Sequence, residues 1–307
     1  MFEHIRTPVS ALFVVLVLAG CGSAETTTAP TSDPTPTAAT PLSGPYLGQE
    51  PPGTTAEVFA PGIVSRPDST EFSGTFSPDG EEYYFYRVSD DSSSEVLFSE
   101  VLDGGWTAPE QLPATAGHDA YTPHLTLDDK RLYFAWRRPA PAGEPDSSSE
   151  IGIYVVRRTP TGWSKADFAG EGMFPSSSRD GQMYITDKSS LSVDGRTYLA
   201  TITLQGGRFA DYERLPIKSG WGSQAHPCIA PDGSYLLFDV QGGAYLFVSF
   251  RKADGSWGEA IDLTQHGFDP LAGGAYVSPD GKYLFFALFD DIWWVDAGVI
   301  EALRPTE

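Results

Sequence analysis

Cysteine and basic residues are scarce in this chain of 307 residues. The only cysteines are Cys21 and Cys228, and 20 Lys and Arg residues stand against 41 Asp and Glu residues, which gives a formal net charge of −21. Two cysteines cannot build the disulfide framework of a small secreted domain, so packing must stabilise the fold. A surface of this charge repels phosphate backbones and anionic lipid headgroups, so nucleic acid is excluded as a partner, whereas cations, basic proteins and neutral sugars are favoured.

Long apolar runs and familiar catalytic motifs are also absent. The apolar run from Ala11 to Ala19 is far shorter than the roughly 20 residues of a membrane-spanning helix. The chain contains no Gly-x-Ser-x-Gly elbow, no His-Glu-x-x-His helix and no phosphate-binding loop. Sequence alone therefore gives no support to the enzyme classes that these motifs define.

The first 20 residues have the pattern of a secretion signal. Arg6 gives a weakly positive start, the apolar run follows, and the run ends in Leu18-Ala19-Gly20-Cys21. This ending resembles the lipobox of bacterial lipoproteins, which implies that the Cys21 thiol receives a diacylglyceryl group and that the attached lipid carries palmitate. An ordinary secretory peptide with a chance cysteine is the alternative.

A lipid anchor at Cys21 would determine both the location of the protein and the state of its other cysteine. By resemblance to lipoprotein sorting signals, Gly22 after the cysteine implies the outer membrane in a Gram-negative host, and a Gram-positive host would keep the protein on its cell surface. Cys228 would then have no disulfide partner, and we expect it to be a small buried apolar residue.

The segment after the signal is rich in Thr, Pro, Ala and Ser, as in TTTAPTSDPTPTAATP, and has no apolar periodicity. Such a composition cannot build a core, so residues 21–55 are predicted to be a disordered tether between a signal peptide at 1–20 and a folded domain at 56–305. A Pro-rich segment of this kind reaches roughly 3 Å per residue and would hold the domain away from a membrane.

One phrase recurs five times in the folded domain. The copies are FSPDGEEYYFY from Phe76, LTLDDKRLYFAW from Leu125, SSRDGQMYITD from Ser177, IAPDGSYLLFD from Ile229 and VSPDGKYLFFA from Val277. Their aligned aspartates are Asp79, Asp128, Asp180, Asp232 and Asp280, with spacings of 49, 52, 52 and 48 residues. This period is typical of four-stranded units in a closed radial array.

Each unit predicts one blade of a β-propeller. A Pro-Asp-Gly turn joins a short strand to a nearly continuous apolar strand, which must be covered on both faces. A third strand follows, and a turn that ends in an aromatic residue leads to the fourth. The last unit ends before its fourth strand, so the segment Glu57 to Val64 is expected to complete that blade and close the ring. The prediction is therefore an all-β, five-bladed β-propeller, with six blades as the alternative.

The phrases resemble the Pro-Asp-Gly, WD-like repeats of TolB and related bacterial envelope proteins. The resemblance covers Ala56 to Pro305, although Leu127-Asp128-Asp129 and Arg179 depart from the Pro-Asp-Gly pattern. It implies a propeller and a role in binding proteins or glycans. It implies no reaction, because repeats of this type occur in scaffolds and in enzymes.

The loops that enter the innermost strands are predicted to line one mouth of the central channel. Their polar residues are the candidate ligand-binding residues: Glu71, Asp119, Tyr121, Glu171, Gln224 and His226. The three acids could form a partial ring that holds a cation, a basic side chain or sugar hydroxyls, with Tyr121 and His226 as flat surfaces. Alternatively, these residues cap strand ends and bind channel water.

A metal site is not predicted. His118, Asp119, His124 and His226 have suitable side chains, but strand alternation places His124, three residues after Tyr121, on the opposite face of its strand. No other cofactor is expected.

These observations favour a lipid-anchored, monomeric envelope propeller that binds a protein or a glycan at one channel mouth without catalysis. The alternative is a glycan-active enzyme, such as a glycosidase, a sialidase-like enzyme or a polysaccharide lyase, which would need two carboxylates, or an acid and a base, facing one pocket. A purely structural role in the envelope is the third hypothesis.

Overall fold

Each repeated phrase forms a β-hairpin in the structure, a computed structural model that describes residues 42–89, 93–137, 151–220, 222–240 and 244–306. The aligned aspartate closes the hairpin turn. Asp79 Oδ1 accepts hydrogen bonds from Ser77 Oγ at 2.5 Å and from the Glu81 amide at 3.1 Å. Asp128, Asp180 and Asp280 accept the equivalent pair of hydrogen bonds. The phrase therefore recurs because its side chains build the turn.

The second phrase forms the same turn without glycine. Asp129 stands where the other four phrases have glycine, and its φ of 56° is in the left-handed region that those glycines occupy. Aspartate is one of the few residues that tolerate this conformation. The departure from the repeat pattern therefore leaves the turn intact.

The hairpins belong to five antiparallel sheets. In chain order the strands are β1 (Glu57–Val58), β2 (Ser69–Phe76), β3 (Glu82–Ser89), β4 (Ser94–Leu102), β5 (Gly105–Trp106), β6 (Glu110–Gln111), β7 (Ala120–Leu125), β8 (Arg131–Arg137), β9 (Ile151–Thr159), β10 (Gly162–Trp163), β11 (Asp167–Glu171), β12 (Met173–Ser177), β13 (Met183–Asp187), β14 (Tyr198–Gln205), β15 (Arg208–Arg214), β16 (Gln224–Ile229), β17 (Tyr235–Val240), β18 (Ala244–Phe250), β19 (Ile261–Asp262), β20 (Gly273–Val277), β21 (Tyr283–Leu288) and β22 (Asp291–Asp296). Blade 1 contains β2–β6, blade 2 β7–β11, blade 3 β12–β15, blade 4 β16–β19, and blade 5 β20–β22 with β1. The predicted five-bladed propeller is confirmed.

Helices are few and short. Within the described ranges the α-helices are α1 (Leu191–Asp194) and α2 (Gly298–Glu301), and the 3₁₀ segments are Tyr46–Gly48, Pro113–Thr115 and Leu263–His266. No helix in the described part of the chain has the length and apolar character needed to cross a membrane.

The N-terminal strand closes the ring, as predicted. Glu57 pairs with Trp294 and Val58 with Trp293, so β1 is the fourth strand of blade 5. The pairing is shorter than the predicted Glu57 to Val64, because the chain turns at Ala60 (φ 43°) and Gly62 (φ 81°). The ring is therefore closed by a two-residue ladder.

The core lies between neighbouring blades. The second strand of each blade is buried on both faces, and all six residues of β17 are buried. Aromatic pairs bridge consecutive blades, with centroid distances of 6.1 Å for Tyr84 and Trp163 and 6.4 Å for Tyr184 and Trp257. Trp163 and Trp257, which follow the third strands of blades 2 and 4, therefore contact the preceding blade.

Residues 42–48, here called the N-terminal arm, pack between blade 5 and blade 1. Leu47 is 2% exposed and belongs to the same core cluster as Trp106 and Trp294. The Leu42 carbonyl accepts a hydrogen bond from the Trp106 amide at 2.7 Å. Residues 42–48 thus pack on the propeller, although their composition predicts that they belong to the tether at 21–55. The predicted signal peptide, Cys21 and tether residues 21–41 lie outside the described residues.

Candidate functional site

Every innermost strand contains a β-bulge. The bulges lie between Glu71 and Gly74, Tyr121 and His124, Met173 and Ser176, Ala225 and Cys228, and Gly273 and Tyr276. The first bulge residue has a left-handed backbone in four blades: Thr122 (φ 47°), Phe174 (52°), His226 (51°) and Gly274 (58°). Strained backbone of this kind costs about 1–3 kcal/mol per non-glycine residue and concentrates at functional sites. The bulges therefore indicate a candidate functional site at the channel axis.

The bulges surround an axial cavity of about 40 Å³ that residues of all five innermost strands line. A cavity of this size holds only a few water molecules. The buried Thr122 Oγ1 lines it and has no hydrogen-bond partner among the described residues, so water is the expected occupant. A sugar ring or a peptide cannot enter, which directs larger ligands to the outer surfaces.

Three aromatic rings narrow the channel at its entry mouth, the end where the chain enters the innermost strands. Phe72 of blade 1 lies 5.9 Å from Phe174 of blade 3 and 5.3 Å from His226 of blade 4 between ring centroids. Blade 1 is adjacent to neither blade 3 nor blade 4, so Phe72 meets the other two rings across the axis. Gly274 is required beside them, because a Cβ at that position would lie 2.5 Å from Phe72 Cε1.

His226 is held by a buried carboxylate. Its Nδ1 lies 2.7 Å from Asp239 Oδ2, which also accepts a hydrogen bond from the Gly274 amide at 2.9 Å. Asp239 is 0% exposed, and its Oδ1 has no partner among the described residues. The pair fixes the orientation of the His226 ring where the three aromatic rings narrow the channel. His226 is therefore part of the channel wall and not an exposed binding residue.

His124 also lines the axial cavity, although strand alternation had placed it on the opposite face from Tyr121. That inference was wrong, because the bulge between the two residues breaks the alternation. The His124 Nε2 atom lies 2.8 Å from Ser177 Oγ of blade 3. Burial lowers the pKa of His124 to about 4, so this ring is neutral at neutral pH.

The predicted acidic ring is distributed over different environments. Glu71 is 0% exposed, and its Oε1 accepts hydrogen bonds from Arg87 Nε at 2.5 Å and from Ser69 Oγ at 2.7 Å. Arg87 also donates to the carbonyls of Ile63 and Val64, at 3.0 and 2.7 Å. Glu71 therefore anchors the segment that follows β1 to blade 1, and its carboxylate does not face solvent.

Asp119 and Tyr121 form an exposed network at the entry mouth with Arg137. Arg137 Nε donates to Asp119 Oδ2 at 3.1 Å and to Tyr121 Oη at 2.9 Å, and the Tyr121 hydroxyl donates to Asp119. Asp119 Oδ1 also accepts from the Ser94 amide of blade 1 at 3.1 Å. The side chains of Arg137 and Asp119 are 45% and 35% exposed. A polar ligand can therefore reach all three groups, which we call the mouth network.

The two remaining candidates lie apart from this network. Gln224 is buried, and its amide donates to the Ile217 carbonyl at 3.0 Å and to Ser219 Oγ at 3.3 Å. Glu171 is exposed on blade 2, and its backbone carbonyl accepts from the Tyr212 hydroxyl at 2.7 Å. The structure thus brings Asp119 and Tyr121 together and places Glu71, Gln224 and His226 inside the protein.

Among the residues with described positions, no cluster of three or more His, Cys, Asp or Glu side chains could hold a metal ion. His124 and His226 line one cavity, but His124 is bonded to Ser177 and His226 to Asp239. Cys228 lines the same cavity, and burial raises the pKa of its thiol to about 12, so the thiol stays protonated.

A larger groove lies between blades 1 and 2. Its volume is about 720 Å³, and its wall includes the aromatic side chains of Tyr84, Phe98, His118, Trp136 and Trp163. His118 and Trp136 directly precede Asp119 and Arg137 in the sequence, so the groove reaches the mouth network. In the sequence, this groove is indicated only by the aromatic residue that follows the third strand in four of the five units.

No known family profile and no curated protein matches the chain in sequence. Solved structures similar to it include a gluconolactonase from Xanthomonas campestris, with 13% identity and a TM-score of 0.47 over 80% of this chain and 94% of that one. Two others are TolB from Acinetobacter baumannii, with 13% identity and a TM-score of 0.46 over 74% of this chain and 54% of that one, and a putative TolB from Agrobacterium tumefaciens, with 18% identity and a TM-score of 0.43 over 71% and 69%. Because these TM-scores are below 0.5, the β-propeller assignment rests on the sheet topology and not on the likenesses.

Proposed function

We propose that this protein is a lipid-anchored, TolB-like propeller of a bacterial cell envelope that binds a protein or a glycan at its entry mouth without catalysing a reaction. The mouth network of Asp119, Tyr121 and Arg137 is the observation that carries the proposal. It presents a carboxylate, a hydroxyl and a guanidinium on the surface, beside a channel that is too narrow for a large ligand. These groups can exchange their mutual hydrogen bonds for bonds to a partner.

The partners of the candidate carboxylates support binding over catalysis. A glycosidase needs two carboxyl groups about 5 Å apart, or roughly 6.5–9.5 Å apart, on either side of one glycosidic bond. Glu71 is buried against Arg87, Asp119 is bonded to Arg137 at the mouth, and Glu171 lies apart from them on blade 2. The three candidate carboxylates therefore do not face one pocket together.

The proposed lipid anchor rests on the lipobox-like ending at Cys21. It would place the protein in the outer membrane of a Gram-negative host or on the cell surface of a Gram-positive host. The proposed oligomeric state is a monomer. Detergent phase partition of the protein and of Cys21→Ser tests this part. We expect the unsubstituted protein in the detergent phase and the variant in the aqueous phase. A variant that stays in the detergent phase would refute the anchor.

The mouth is tested with the triple variant Asp119→Asn, Tyr121→Phe, Arg137→Gln on glycan arrays and in pull-downs from solubilised envelope. The matched control is Arg157→Gln, Asp167→Asn, an exposed ion pair on the outer strands of blade 2. We expect the triple variant to lose its ligand about tenfold or more and the control to retain it. Equal binding by the triple variant sinks the proposal, and so does polysaccharide turnover that Asp119→Asn abolishes.

A further inference from the structure

The groove between blades 1 and 2 has a rigid aromatic wall. Trp163 Nε1 donates to the Tyr84 hydroxyl at 3.1 Å, and the Arg158 guanidinium lies 4.2 Å from the centre of the Trp163 ring. Arg158 is fixed in turn by Glu82, to which it donates from both terminal nitrogens, and by Asp129 at 2.8 Å. Side chains held this firmly lose little entropy when a ligand binds.

The end of the groove that lies nearest the mouth network carries a second aromatic surface. The exposed ring of His118 lies 3.8 Å from the half-buried ring of Trp136 between centroids, and Trp136 packs on Tyr154 at 4.7 Å. Flat rings at both ends of one groove suit a ligand with several flat faces in succession.

The charges of the groove cancel one another. Its lining contains two carboxylates, Glu82 and Glu100, and two cations, Arg158 and Lys165. This balance stands out on a chain with a net charge of −21. The side chains of Glu100 and Lys165 have no hydrogen-bond or ion-pair partner among the described residues, so an acceptor and a donor are available in a neutral environment. Charge complementarity therefore favours a neutral ligand that both donates and accepts hydrogen bonds.

The corresponding position between blades 5 and 1 is occupied by the chain itself. Trp106 stands after the third strand of blade 1 as Trp163 does in blade 2, and its Nε1 donates to the Gly44 carbonyl of the N-terminal arm at 2.8 Å. Trp163 has no such covering segment among the described residues. An aromatic pocket that another blade interface fills is thus open here, with a volume in the range of small-ligand sites.

We propose that this groove binds a neutral oligosaccharide chain, with sugar rings stacked on His118–Trp136 and beside Trp163 and with hydroxyl groups bonded to Glu100 and Lys165. The inference rests on the proposed function and names its ligand class, because the groove leads from the mouth network. A charged peptide would leave its charge uncompensated in a neutral groove. A proline-rich peptide has carbonyl groups that can accept from Lys165, but its prolines have no backbone N–H to donate to Glu100.

Isothermal titration with cellohexaose, maltohexaose and chitohexaose tests the inference. The groove variants are His118→Ala and the double variant Glu100→Gln, Lys165→Gln, all of which keep Trp163 and Arg158 in place. The matched control is Glu259→Gln, Lys252→Gln on the outer side of blade 4. We expect at least one hexasaccharide to bind, each groove variant to weaken it about tenfold, and the control to remain within about twofold.

Three outcomes overturn the inference: no hexasaccharide binds, the groove variants bind as tightly as the unsubstituted protein, or a decaproline peptide displaces the sugar. The triple mouth variant separates this result from the proposed function. If the mouth variant loses a hexasaccharide that the groove variants retain, the groove inference fails and the proposed function stands. If the groove variants alone lose a hexasaccharide, the sugar site is confirmed and the mouth is not part of it.

Discussion

The interface between blades 5 and 1 and the interface between blades 1 and 2 have the same strand architecture but are filled differently. At the first, the N-terminal arm buries Leu47, and the Arg87–Glu71 ion pair holds the segment after β1. At the second, Trp163 and Arg158 reach back to Tyr84 and Glu82 and leave a groove of about 720 Å³. The chain runs continuously from blade 1 to blade 2, whereas blade 5 is completed by a distant two-residue strand. The difference indicates that the closing interface needs added contacts, and that a continuous interface can spare room for a ligand.

The largest expected effect comes from the buried ion pair of the closing interface. Arg87→Met leaves the Glu71 carboxylate buried without a cation, which costs about 3–5 kcal/mol of unfolding free energy. Urea unfolding measures the loss. The double variant Glu71→Gln, Arg87→Met removes the stranded charge and should be more stable than the single variant. A single variant that loses less than about 1 kcal/mol would contradict a buried charge at this position.

The arm gives the next largest effect. Leu47→Ala removes a side chain that is 2% exposed, so we expect a loss of about 2–5 kcal/mol in unfolding free energy. Leu102→Ala is the matched control, because Leu102 is 55% exposed and should change stability by no more than about 0.5 kcal/mol. Similar effects of the two substitutions would show that the arm does not belong to the cooperative core.

A pH experiment tests the burial of His124 in the axial cavity, which residues of all five blades line. Burial holds the pKa of His124 at about 4 in the folded protein, against 6.5 when unfolded. Between these values the unfolded chain takes up a proton that the folded protein does not, so stability falls as the pH falls from 6.5 towards 4, by about 2 kcal/mol at pH 5. His124→Asn should reduce the difference in unfolding free energy between pH 7 and pH 5 by that amount. An unchanged difference would place the ring in contact with water.

The smallest effect belongs to the interface of blades 1 and 2. Trp163→Phe removes the hydrogen bond from Trp163 Nε1 to the Tyr84 hydroxyl, whose net contribution is about 1 kcal/mol. A double-mutant cycle with Tyr84→Phe separates this bond from the change in ring size. A coupling energy near zero would mean that the bond does not hold the wall of the groove.

The sequence predicted the repeat architecture because turn chemistry and apolar strands are local properties. The Asp79 turn, the blade number and the pairing of Glu57 with blade 5 could all be derived from spacing and composition. The position of His124 in the axial cavity could not be derived, because a bulge changes the face on which its side chain lies without changing the pattern of residue types. The burial of Glu71 also escaped prediction, since its partner Arg87 lies on the next strand and the site depends on both.

The attachment of the N-terminal arm has a mechanical consequence. The residues that precede Leu42 connect to the ring through the arm, which is bonded to Trp106 beside the closing ladder. A pull on those residues would load the arm first and would peel it from Trp106 before the force reached the Glu57–Val58 pairing. Detachment of the arm from Trp106 would therefore protect the closed ring, because the β1 pairing would carry no load until the arm had come away.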